Sequence, residues 1–127
     1  MADASSEKLH PFLVLMYEDD DAWATLSPSR QAELMTLYGG WVAALRAQHL
    51  FVSGAPAGRE QVLLESVNGS IEARSHAPTS NVLTGYFVIR ARDFAHAVDV
   101  ARGCPALQHG ERVVVRAAVH DGSVGGP

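Results

Sequence analysis

VLTGYFVIR, residues 82 to 90, is apolar on both of its alternating faces, with Val82, Tyr86 and Val88 on one and Leu83, Phe87 and Ile89 on the other. Successive side chains of a strand point to opposite sides, so a strand that is apolar on both must be covered on both. FLVLMY, residues 12 to 17, behaves the same way: Phe12, Val14 and Met16 alternate with Leu13, Leu15 and Tyr17. Its length suits a buried strand rather than a helix. One layer of helices on such a sheet leaves the other face in need of cover.

Working outward, Ser27 and Pro28 supply an N-cap and a first-turn proline, after which Leu34, Tyr38, Trp41 or Val42, and Leu45 recur at helical spacing. Gly39 and Gly40 fall inside that helix and cost about 1 kcal/mol each relative to alanine, for which close backbone packing is the expected reason. Residues 50–53 and 61–67 read as strands. Asn68-Gly69 is the dipeptide of a type I′ turn, so residues 70–74 should pair back as a hairpin. Asp93 caps a second helix whose Phe94, Ala97, Val98 and Ala101 share a face and which Gly103 ends; residues 112–119 form the last strand. The predicted fold class is α+β, a ferredoxin-like βαββαβ with an additional hairpin. Both helices cover one sheet face, and a second copy of the chain is the expected cover for the other, which makes a homodimer.

The domain is read as residues 11–120, between a flexible polar tail (1–10) and a flexible glycine-rich tail (121–127). A net charge of −4 without a Lys/Arg cluster argues against nucleic acid as a partner. No apolar run is long enough to span a bilayer and residues 1–10 carry no signal-peptide pattern, so no membrane partner and a cytoplasmic location are expected. Cys104, the sole cysteine, reads as a buried inert thiol. The six histidines show no metal-ligand spacing, and neither a metal nor a cofactor is expected.

Three segments carry a resemblance: LVLMYEDDDAWATLSPSRQAELMTLYGGWVAALRAQHLFVSGAP (13–56), LTGYFVIRARDFAHAVDVARGCPA (83–106) and VVVRAAV (113–119). Together they resemble the YCII-related family in its DGPF-domain branch. The resemblance implies a dimeric α+β barrel with two sheets packed face to face. Its relatives include a dehydrochlorinase with a His-Asp pair, and accessory proteins associated with sigma factors. The Asp-Gly-Pro-Phe signature falls on Ala73, Arg74, Ser75 and His76, none of which matches, and the histidine position of the enzyme-like branch falls at Leu37 or Tyr38. The dyad is therefore not inherited. Arg116 stands at the arginine of the family's closing strand.

Candidate catalytic groups are then His76, in the loop that replaced the signature, and His109, in the loop before the last strand, because histidine moves protons near neutral pH. For each the alternative is an ordinary loop or turn position. Arg116, alone among valines and alanines, needs an anionic partner, either a carboxylate of the chain or a ligand group. Tyr17, Tyr38 and Tyr86 join it as candidate ligand-binding residues. Glu18 to Asp21 read as a solvated acidic loop, and Trp23 and Trp41 as core or interface. Two functions follow: a small-molecule-binding dimer acting as a cofactor-free isomerase, lyase or cyclase on a polar aromatic or enolisable substrate, or a non-catalytic accessory or regulatory dimer.

Overall fold

The computed structural model describes residues 8–121. The tails read at 1–10 and 121–127 fall largely outside these, since residues 1–7 and 122–127 lie beyond the described residues. His10, assigned to the N-terminal tail, instead opens the first strand, because it extends the β1 pairing opposite Ala91.

Strand β1 (His10–Glu18) leads through a short 3-10 turn (Trp23–Thr25) to helix α1 (Pro28–Ala47). Strands β2 (Phe51–Pro56), β3 (Val62–Val67), β4 (Ser70–Ser75) and β5 (Val82–Ala91) follow, then helix α2 (Phe94–Ala101), a 3-10 turn (Pro105–His109) and strand β6 (Arg112–Ala117). Four strands form one antiparallel sheet in the order β2-β5-β1-β6, and β3 and β4 form a separate hairpin. The architecture is α+β, with two helices and antiparallel sheets, and is compatible with a ferredoxin-like arrangement. No helix among the described residues is long and apolar enough to cross a membrane.

Local chemistry accounts for the element ends. The Ser27 hydroxyl accepts from the Arg30 amide at 3.1 Å with Pro28 in the first turn, and the Asp93 carboxylate accepts from the His96 amide at 2.8 Å. Asn68 and Gly69 both hold positive φ, as a type I′ turn requires. Phe12, Val14 and Met16 face the helices and are buried; Phe12 and Val14 form one core with Leu45, Ala97, Ala101, Ile89 and Ala91. The neighbouring face is partly bare. Leu13 and Leu15 are half-buried, while Tyr86 and Val114 stay 38% and 42% exposed.

Two expectations fail here. Gly39 and Gly40 sit inside an unbroken α1, and a Cβ at either would meet nothing within 4 Å, so close packing does not account for them. Arg116 pairs with no carboxylate among the described residues. It lies exposed opposite Leu13 on the sheet's edge strand, so that its charge does not need a carboxylate of the chain.

Candidate functional site

Gly39 faces a cleft of about 800 Å³ between α1, the ends of β1 and β2, and the loop after β2. That volume is in the range of small-molecule sites. Met16, Trp23, Met35, Tyr38, Val42 and Phe87 give it an apolar, aromatic lining. Its polar wall is built by four elements.

The first is the turn before β6. Pro105 starts this 3-10 turn and Gly110, at φ 83°, reverses the chain, so that His109 and Glu111, two residues apart, both reach the cleft. The His109 side chain is 1% exposed and that of Glu111 4%. His109 Nδ1 lies 3.2 Å from Glu111 Oε2, at ion-pair distance but without hydrogen-bond alignment, so Nδ1 has no directed partner. Catalytic hydrogen bonds are often loose before a ligand arrives. His109 Nε2 is 3.0 Å from the Tyr38 hydroxyl, supplied by the second element, α1.

Burial holds the Tyr38 phenol far above its ordinary range, and nearby Cys104, Glu111 and Glu18 add to the effect. The phenol therefore keeps its proton, and in the tautomer with Nε2 unprotonated it donates to that nitrogen. That leaves the ring proton on Nδ1, facing Glu111. The other Glu111 oxygen accepts a hydrogen bond from the Thr84 hydroxyl, for whose single proton the Met16 carbonyl, 3.3 Å away, is the alternative acceptor. Thr84 can do this because the β1/β5 register shifts between Met16 and Tyr17, re-aiming its side chain at the site.

The third element is the end of β1. Glu18 continues the inward parity of Phe12, Val14 and Met16, and its side chain is 3% exposed. The Trp23 amide donates to its Oε2 at 3.2 Å, and the fourth element, the β2–β3 loop, brings Arg59 to within 3.3 Å of Oε1. Arg59 also approaches Asp21 at 3.5 Å. Loss of water raises the Glu18 carboxyl above its ordinary range; the Trp23 amide opposes this, Glu111 adds to it, and Arg59 and Asp21 act in opposite senses. The expectation that Glu18 belongs to a solvated acidic loop is thus corrected. Only Asp19, Asp20 and Asp21 are exposed.

Of the residues singled out in the sequence, His109 and Tyr38 meet in this cleft. His76 is exposed in the loop after β4 and does not line it. Tyr17, Tyr86 and Arg116 do not line it either. Trp23, read as core or interface, instead packs edge-on to His109 with centroids 5.5 Å apart, whereas Trp41 packs on Phe87 in the core. Cys104 is buried with its thiol pushed up to about 11, chiefly by desolvation. Among the described residues no group of three or more His, Cys, Asp or Glu side chains could hold a metal ion.

Glu18, Thr84, Arg59 and Glu111 were missed in the sequence. A signal existed for two of them: Glu18 extends an alternation already read through Met16, and Glu111 follows His109 across a glycine. Arg59 and Thr84 reach the site only through the loop path and the register shift. No family model matches the chain, and no curated protein matches it.

Proposed function

We propose that this chain is a small-molecule-binding protein whose cleft performs acid–base chemistry on a polar aromatic or enolisable ligand. The observation that carries the proposal is the buried His109 held between Glu111 and Tyr38 in the cleft wall. A phenol that keeps its proton is suited to polarise a ligand oxygen. When Tyr38 turns its hydrogen bond to the ligand, the Nε2 lone pair is released as a base, and Glu111 stabilises the imidazolium that forms. Tyr38 also stands at one of the two positions where the resembling family's enzyme-like branch carries its histidine. Isomerisation, elimination and cyclisation are the reaction classes such a pair serves.

The test needs no natural substrate. Enolisable aromatic ketones that stabilise the chain in a thermal-shift screen should exchange their acidic carbon-bound hydrogens with deuterium oxide faster when bound, followed by NMR. A general base typically contributes about 10²-fold to 10⁴-fold, and His109→Gln should remove it while the melting transition persists. Binding without accelerated exchange would favour the second reading, a non-catalytic accessory or regulatory dimer.

We assign the chain a ferredoxin-like core that pairs as a cytoplasmic homodimer, sheet face to sheet face, in the manner the YCII-related resemblance implies. The partly bare apolar face carrying Leu13, Leu15, Tyr86 and Val114 supports this. Light scattering should give a dimer that Leu15→Lys converts to monomer; a wild-type monomer at micromolar concentration overturns it.

A further inference from the structure

The charged groups of the cleft are divided between its two ends, which bears on the shape and charge of the ligand that the binding reading above requires. Met35, Tyr38, Val42 and Arg46 set the cleft along about three turns of α1, about 16 Å at 1.5 Å per residue. Tyr38 meets His109, which faces Glu111, toward one end. Trp23, packed on His109 at 5.5 Å, ties Glu18 to that end through its amide, and Arg59 and Asp21 join Glu18 there. The sheet gives the same axis. Phe51, which opens β2, stands level with Ile89 and through it with Phe12, whereas Glu18 lies six residues farther along β1, about 20 Å at 3.3 Å per residue.

Arg46 is the charged residue of the other end. Its guanidinium lies over the Phe51 ring at 4.9 Å, and Phe51 packs on Phe87 of the cleft wall with centroids 6.3 Å apart. It is exposed and pairs with no carboxylate among the described residues. Stacking on the ring holds the guanidinium in place and uses none of its N–H donors. Between the ends, Gly39, Val42, Ala43 and Phe87 carry no charge. Tyr38 and Arg46 are about 12 Å apart along the helix, beyond the Debye length of roughly 8 Å at physiological salt, so the acidic end does little to repel an anion at Arg46. We infer that the cleft takes an elongated aromatic ligand with a carbonyl oxygen at Tyr38 and His109 and a carboxylate at Arg46. Arg46 selects the ligand, a part the sequence reading offered to Arg116, which does not line the cleft.

Calorimetric titration of the full chain at neutral pH tests this with 6-acetyl-2-naphthoate and its uncharged carboxamide, and with 4-acetylbenzoate and its carboxamide, which carry the same groups on one ring. The naphthoate should bind at least about fivefold tighter than its carboxamide. The one-ring acid is too short to reach from Tyr38 to Arg46 and should show no such advantage over its carboxamide. Arg46→Gln should cut the naphthoate's advantage to about twofold or less, and circular dichroism should show that this exposed substitution leaves the chain folded. Equal binding of naphthoate and carboxamide, an advantage that survives in Arg46→Gln, or the same advantage in the one-ring pair overturns the role of Arg46 and leaves the cleft's binding role standing. Failure of all four probes to bind overturns both.

Discussion

Gly39 offers a perturbation in which stability and binding should move independently. It lies in the interior of α1 on the cleft side, and a Cβ there meets nothing within 4 Å. Gly39→Ala therefore removes the helix penalty of glycine without a clash, a gain of about 0.8–1 kcal/mol. For a chain of this size that raises the melting temperature by roughly 3–5 °C. Binding of a probe, an aromatic ketone taken from the thermal-shift screen, should be unchanged, since one methyl group takes little of the cleft. Gly39→Trp keeps about 0.4 kcal/mol of the propensity gain but lays an indole into the cleft. Its melting should not fall below wild type, and the probe's affinity should drop at least about tenfold. Circular dichroism melts and calorimetric titration of the three proteins provide both readouts. Lower melting for Gly39→Ala would mean that the glycine is required by the backbone, and wild-type affinity in Gly39→Trp would mean that the probe binds elsewhere.

Val115→Asp should destabilise by about 3 kcal/mol or more in urea denaturation, because Val115 packs on the core and the new carboxylate would have no partner there. Glu18 should make stability depend on pH. Its folded pKa is raised above the unfolded value, so its contribution is fully present below about 4.5 and is lost as pH rises through the folded value. Glu18→Gln should accordingly melt higher than wild type at neutral pH and show a flatter profile from about 4.5 upward; an unchanged profile would place Glu18 in water.

The strands, both helices and the hairpin were legible because each rests on local signals. Period-two alternation marked β1 and β5, Ser27 and Asp93 marked the helix starts, and Asn68-Gly69 marked the turn. The site was legible only in part. His109 and Tyr38 were picked by residue type, but their 3.0 Å contact joins positions 71 residues apart and has no local trace. Glu18 was misread because consecutive acidic residues suggest a solvated loop, whereas strand parity sends the first inward and leaves the rest outside. Gly39 and Gly40 looked like a packing requirement, yet Gly39 borders open space. Helix periodicity reports which face is buried and cannot tell a core from a cleft.

The most direct test of the site is the imidazole of His109 itself, followed by long-range proton–nitrogen NMR and assigned by its absence in His109→Gln. In the free chain Nδ1 should carry the proton and Nε2 should accept from Tyr38. Saturation with an aromatic ketone taken from the thermal-shift screen should shift the His109 nitrogens, as Tyr38 turns its hydrogen bond to the ligand oxygen, while the exposed His76 stays still. A probe that binds with the His109 resonances unmoved would contradict the claim that this histidine is the working group of the cleft.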